Sequence, residues 1–234
     1  ILYAGTDDGT VQMTVDGGKS WANITTRLPG FPSGHAFVSK VAPSRFDANV
    51  AYIAVTNYRQ NDYDPYLWVT TDNGATFKSI ASGLRGEVVR TITEDTRNAN
   101  VLYVGTETGI MLSLDRGTTW KKLKANFPDV RVDELTIHPR DNALLVATHG
   151  RAIWVLDDVS PLRQLDAKTA EAGTYLFAPA PAFRVHNDQN KDTPPPAETA
   201  LGKNPPNGAI IDYALARRAK RVTLEIRDAA GHSL

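Results

Sequence analysis

The octapeptide SLDRGTTW, Ser113–Trp120, has two sister copies in the chain, TVDGGKSW at Thr14–Trp21 and TTDNGATF at Thr70–Phe77. All three read hydroxyl residue, x, Asp, x, Gly, x, hydroxyl residue, aromatic. An aspartate is short enough to accept hydrogen bonds from backbone amides about two residues further on, and so to close a hairpin turn. That chemistry assigns Asp16, Asp72 and Asp115 to turn closure. Gly18, Gly74 and Gly117 supply a positive φ inside the turn. The aromatics Trp21, Phe77 and Trp120 then start a strand and bury a large ring beneath it. One carboxylate per turn falls far short of the six or more oxygens that calcium takes, so no metal is expected there.

Each octapeptide closes a longer repeat. ILYAGTDDGTVQMTVDGGKSW, VAYIAVTNYRQNDYDPYLWVTTDNGATF, VLYVGTETGIMLSLDRGTTW and ALLVATHGRAIWVLDD all show an apolar β-rich run, a polar turn, a second run and an Asp-containing turn. Their aspartates, Asp16, Asp72, Asp115 and Asp157, are separated by 56, 43 and 42 residues. A period of roughly 40 to 50 residues made of short strands marks an all-β fold, the β-propeller, with one four-stranded blade per repeat. Alternation of β-branched and aromatic with polar residues predicts one blade as Val88–Glu94, Val101–Thr106, Ile110–Leu114 and Trp120–Leu123. The blade before it is predicted at Ala36–Ala42, Val50–Thr56, Tyr66–Thr71 and Phe77–Ile80. The blade after it is predicted at Val132–His138, Leu144–Thr148 and Ala152–Leu156. The fourth turn, VLDDVSPL, keeps Asp157 but has Val159 where glycine is expected.

Composition narrows the partners. With 26 basic and 26 acidic residues the formal net charge is zero, which gives no electrostatic footprint for nucleic acid. The chain has no cysteine, which removes disulfides, thiolate metal sites and cysteine nucleophiles. No apolar run approaches the roughly 18 residues of a spanning helix. No cofactor is expected.

Two loops exceed their counterparts. Tyr52 lies 20 residues before Asp72, whereas Tyr103 lies 12 before Asp115, so TNYRQNDYDPY is an insertion. TTRLPGFPSGH is likewise longer than ASGLRGE. Insertions at one end of a rigid scaffold are where recognition tends to sit.

The octapeptide pattern resembles the Asp-box, or BNR repeat, and three copies at blade spacing make that resemblance specific over roughly residues 1 to 160. It implies an Asp-box propeller of the kind found in sialidases, xyloglucanases, the sortilin-type receptor domain and photosystem-assembly factors. ATHGRAIWVLDDVSPLRQL, LFAPAPAFRV and NPPNGAIIDYAL…VTLEIRDAAG are further similar to large exported bacterial proteins of the sortilin-like or glycosyl-hydrolase BNR-repeat type. Three segments follow: 1–186, the C-terminal blades of an Asp-box β-propeller; 187–207, a Pro/Asn-rich linker; and 208–234, the beginning of an immunoglobulin-like β domain. The chain is expected to be an internal fragment, because propellers close with about four to eight blades. The remaining blades are then expected from the same polypeptide or a second chain.

The resemblance places the boxes on the face opposite the ligand site. The candidate ligand face is therefore built from second-to-third and fourth-to-first strand loops: Tyr58, Arg59, Asp62, Asp64, Arg85, Glu107, His149 and Arg151, with His35, Glu87 and Tyr66 beside them. Two functions are open. One is a non-catalytic module that binds protein, peptide or glycan, secreted, periplasmic or in the cell envelope by resemblance. The other is a glycoside hydrolase, which needs two carboxyl groups roughly 5 to 9.5 Å apart. Glu87, Glu107, Asp62 and Asp64 are the candidate acids, and the same residues equally suit solvated loop charges. No three-arginine and Tyr–Glu signature of a sialidase is present. His149 and Arg151 are expected to cap a turn and to pair with a neighbouring blade's acid.

Overall fold

The computed structural model describes residues 1–124, 126–166, 169, 172–182, 196, 198, 202, 203, 205, 206 and 208–233. They divide into two compact units, Ile1–Arg163 and Gln164–Leu234.

The first unit is a series of antiparallel meanders, the expected propeller blades. Blade 1 contains β1 (Leu2–Gly5), β2 (Val11–Thr14) and β3 (Ala22–Asn23). Blade 2 contains β4 (Phe37–Pro43), β5 (Ala51–Asn57), β6 (Asp62–Thr70) and β7 (Lys78–Ser79). Blade 3 contains β8 (Val89–Glu94), β9 (Leu102–Thr106), β10 (Gly109–Ser113) and β11 (Lys121–Lys122). Blade 4 contains β12 (Val132–Ile137), β13 (Leu144–Thr148) and β14 (Ile153–Leu156).

The core lies between blades. In β5, Ile53 and Val55 join the cluster that holds Val11, Val38 and Trp68, while Tyr52 and Ala54 join the one that holds Leu84, Ile92 and Leu102. Both faces of β5 are thus buried, which is why AYIAVT reads as a continuous apolar run and not as an alternation. By its pairing β1 matches β5 and β9, the second strands of blades 2 and 3, and each packs on the innermost strand of the next blade: β1 on β4, β5 on β8 and β9 on β12. Gly105 permits the last of these approaches, since a Cβ there would lie 2.7 Å from Val132 Cγ1 and 3.0 Å from its carbonyl oxygen.

Three features stand out. First, blades 2 and 3 have the four strands expected, and blade 4 shows, among the described residues, the three expected. After β14 the chain turns at Asp158–Ser160 and enters a 3-10 turn, Leu162–Gln164; Pro161 brings no N–H to a fourth ladder. Second, the insertion is largely strand: β5 and β6 extend into it, with a register shift between Val55 and Asn57, Asn57 opposite Asp62, and a 3-10 turn at Tyr58–Gln60. Third, the fourth box sits one residue later than expected. Leu156 stands opposite Leu144 as Ser113 stands opposite Leu102, so the equivalent of Asp115 is Asp158, not Asp157. Asp158 accepts from the Ser160 amide and hydroxyl, both at 2.8 Å.

In the second unit, β15 (Thr174–Leu176) pairs with β16 (Tyr213–Leu215). TYLFAPAPAFRV thus contributes a three-residue strand, and AIIDYAL supplies its partner. Residues 221–226 carry no strand, and Val222, Leu224 and Ile226 are exposed. Most of the expected linker, 187–207, lies outside the described residues.

Candidate functional site

The three boxes share one geometry. Asp115 Oδ1 accepts from the Ser113 hydroxyl and the Thr119 amide, both at 2.8 Å, and Oδ2 accepts from the Thr119 hydroxyl at 2.6 Å. Ser113 Oγ in turn accepts from the Gly117 amide at 2.8 Å. Asp16 with Thr14 and Ser20, and Asp72 with Thr70 and Thr76, repeat the pattern. The bonded amide lies four residues on, not about two: the octapeptide's second hydroxyl residue closes the loop, so the aspartate spans the whole turn. Hydrogen bonds from Thr76, side chain first and then backbone, hold the Asp72 carboxyl down to about 2. Those from Ser20 hold Asp16 lower still. At Asp115, partial desolvation pulls upward, yet the Thr119 and Ser113 bonds keep it below the ordinary value. These three bonds to each box aspartate all come from its own turn. Gly74 and Gly117 press against the preceding blade, where a Cβ would lie 2.9 Å from Met13 Sδ and 2.8 Å from Ile80 Cδ1. Phe77 and Trp120 are buried there as expected. Trp21, on the leading face of blade 1, is 44% exposed, against expectation.

The opposite face is organised by a repeated irregularity. The innermost strand of each of blades 2, 3 and 4 carries a β-bulge at the same place, between Val38 and Lys40, Val89 and Thr91, and Val132 and Glu134. The extra residues are Ser39, Arg90 and Asp133. Bulges re-aim side chains: Arg90 faces the mouth formed by the second-to-third and fourth-to-first loops and Asp133 bonds Arg131 beside it, whereas Ser39 Oγ is buried. A cavity of about 460 Å³ opens there, lined by Tyr58, Tyr63, Gly86, Val88, Arg90, Glu107 and Arg131.

Arg90 is its central group. The guanidinium is buried, lies 4.3 Å over the Tyr58 ring, and forms a two-donor salt bridge with Glu107 Oε1. Hydrogen bonds from Arg59 and then Arg90 draw the Tyr58 phenol below the usual tyrosine value. Arg131 bonds Asp133 at 2.6 Å, and His149 Nδ1 lies 3.6 Å from the same carboxylate. Such a wall offers aromatic faces, guanidinium donors and the second Glu107 oxygen to a ligand, a chemistry suited to polar recognition with an apolar component.

Of the expected site residues, Tyr58 and Glu107 line this cavity, and Arg59 stands behind Tyr58, 5.9 Å from the Phe37 ring. Asp62 turns away: it accepts from Asn57 at 2.9 Å and Tyr66 at 2.7 Å. Glu87 is held by the hydroxyls of Thr106, at 2.6 Å, and Thr108. Asp64, Arg85 and Arg151 are exposed and form no ion pair among the described residues, so the expected pairing of Arg151 with an acid is not formed. His149 faces Asp133 and the turn it occupies is closed by Ala152, φ 59°, with Thr148 Oγ1 donating to the Ala152 carbonyl.

Tyr63, Gly86, Val88 and the two arginines Arg90 and Arg131 were not expected in the lining. The signal for Arg90 was present: two adjacent polar residues break the apolar alternation in VSKV, VRTI and VDEL, each time at the bulge. Only the register shows that this break aims a side chain at the mouth.

Residues 65–169 match the Sortilin-Vps10 family, described as sortilin, neurotensin receptor 3. No curated protein matches the chain. Among solved structures the chain is similar to the GH74 xyloglucanase from Xanthomonas campestris, at 18% identity and a TM-score of 0.49 over 67% of this chain and 27% of that one. It is similar to YCF48 bound to D1 peptide at 19% identity and a TM-score of 0.47, over 66% of this chain and 46% of that one. The Niastella koreensis GH74 enzyme gives 18% identity and a TM-score of 0.47, over 63% and 24% respectively. The chain spans less than half the length of each of these structures.

Proposed function

From the premise that residues 65–169 are of the sortilin-like Asp-box propeller type, we propose that the chain is a non-catalytic, ligand-binding propeller module of a larger exported bacterial protein. The ligand is a protein or peptide segment, taken at the cavity of Tyr58, Tyr63, Arg90, Glu107 and Arg131. The observation that carries this reading is the Tyr58–Arg90–Glu107 assembly, a buried guanidinium fixed between an aromatic face and a carboxylate at the rim of an open cavity. Fixed aromatic and arginine groups are what binding surfaces use as anchors. The glycoside hydrolase alternative lacks support, because Glu87 and Asp62 are engaged by neighbouring donors and, among the described residues, Glu107 is the one acid in the cavity lining.

The same proposal includes further blades packed on both outer faces of the unit. Leu2 stands where buried Leu102 stands in blade 3, yet is 50% exposed; Ile153 occupies the place of buried Ile110 and is 69% exposed. It also includes residues 208–234 as the opening of an immunoglobulin-like domain, and an extracellular or envelope location.

The test is binding of peptides selected from a random library against the chain, measured by calorimetry. Tyr58→Ala is expected to weaken them about ten-fold or more, the loss of one aromatic anchor. Affinity unchanged in Tyr58→Ala, or polysaccharide hydrolysis abolished by Glu107→Gln, overturns the proposal.

A further inference from the structure

The face that carries the Asp-box turns holds a second cavity, of about 300 Å³, between blades 2 and 3. Val50, Tyr52, Val69 and Ile80 form its apolar floor, Lys78 and Arg116 stand at its rim, and among the described residues its lining contains no acid. Neither cation has a carboxylate partner among the described residues; the Arg116 guanidinium donates to the Ala99 carbonyl, at 3.3 Å. Glu94, behind the Tyr52 hydroxyl, is already engaged by Ser44, the Arg45 amide and Tyr52.

The two sister grooves are filled by the chain itself. Between blades 1 and 2, Arg27 donates to the Gly74 carbonyl at 2.8 Å. Between blades 3 and 4, Leu162 packs on the cluster containing Val101 and Tyr103, the counterparts of Val50 and Tyr52, and Arg163 continues onto Asp95. Both fillers fail in the middle groove. Ile24 and Ile80 are equivalent, each donating its amide to the third strand of its blade, so Gly83 stands where Arg27 stands and contributes no side chain. Among the described residues, no chain segment takes the part of Leu162 either. What is left is an apolar slot with two uncompensated cations, and the sister grooves indicate what fits: an apolar side chain and a charged one from an adjacent piece of backbone.

We propose that this groove docks a short acidic peptide segment of a partner protein. One apolar side chain of the segment sits over Val50, Val69 and Ile80, and its carboxylates lie beside Lys78 and Arg116. The site is separate from the cavity near Tyr58 and does not depend on that reading.

The probe is a fluorescein-labelled nonapeptide of alternating leucine and aspartate, with a leucine and lysine counterpart as control, followed by fluorescence anisotropy on the full chain. Saturable binding of the acidic probe that weakens with salt is expected. Lys78→Ser combined with Arg116→Asn is expected to lower affinity about ten-fold or more by removing both charges. Asparagine suits that turn, because Asn73 holds the same left-handed position in blade 2, φ 57° against 56° at Arg116. Ser82→Glu, an acid added at the exposed rim without touching the box, is expected to weaken binding as well. Tyr63→Ser leaves it unchanged. Absence of saturable binding, equal affinity for the lysine probe, a folded double variant that binds like the parent, or loss of binding in Tyr63→Ser each overturns the proposal.

Discussion

Replacing Arg163 by methionine tests whether the segment after β14 is clamped to the blades by one buried ion pair. Arg163 Nε donates to both oxygens of Asp95, at 2.7 and 2.9 Å, while Nη1 donates to Asn142 Oδ1 at 2.6 Å. Asp95 is 0% exposed and the Arg163 side chain 9% exposed, so neither charge can turn to water when its partner is lost. Removing one partner of a buried pair costs about 3 to 5 kcal/mol, because the other charge is left without compensation. Asp95 keeps two backbone donors, Arg97 at 2.7 Å and Asn98 at 3.0 Å, which places Arg163→Met near the lower end. At about 3 kcal/mol, a unit of this size loses roughly 6 to 12 °C in Tm. The assay is thermal unfolding followed by near-UV circular dichroism, with Asp95→Asn added to complete a double-mutant cycle. The double variant is expected to recover part of the loss, since its buried group no longer carries charge. A Tm drop under about 2 °C for Arg163→Met, or strictly additive losses in the cycle, refutes the reasoning.

Other outcomes follow from the same contacts. Gly105→Val is expected to destabilise by about 1 to 3 kcal/mol through overpacking, read by urea denaturation, because even its Cβ would lie 2.7 Å from Val132 and 2.8 Å from Thr91. Trp120→Leu should cost far more stability than Trp21→Leu in the same assay, since Trp120 is buried and donates to the Ile80 carbonyl at 2.8 Å, whereas Trp21 is exposed. The box carboxylates give an acid limb. Their folded pKa values lie below the unfolded one near 4, so their contribution is complete above that value and fades as pH falls toward about 2, the Asp72 value. Acid titration of stability should therefore be shallower between those limits in Asp72→Asn than in the parent chain.

The blades were legible because turn chemistry and β-period are local. Thr-x-Asp-x-Gly-x-Thr needs no tertiary partner to close a hairpin, and the strands of blade 3 fall within a residue or two of their expected bounds. The fourth box was misplaced because VLDD offers two aspartates, and only pairing of Leu156 with Leu144 chooses between them. The candidate site was half legible. Tyr58 and Glu107 lie in loops that could be assigned to one face by strand order. Arg90 lies inside a strand, where the sequence shows a break in alternation but not the direction in which the bulge turns the side chain. The engagement of Glu87 by Thr106 and Thr108, and of Asp62 by Tyr66, depends on neighbours brought together by pairing, so these acids read as candidates until the register was known.

We propose that the boxes hold the blades while the opposite face takes the ligand. Amide hydrogen exchange on the chain with a library-selected peptide bound tests it most directly. The account expects slowed exchange at residues 58–66, 86–90 and 107–109, with the box turns 14–20 and 70–76 unchanged. Protection confined to those turns, with residues 58–66 and 86–90 unaffected, contradicts it.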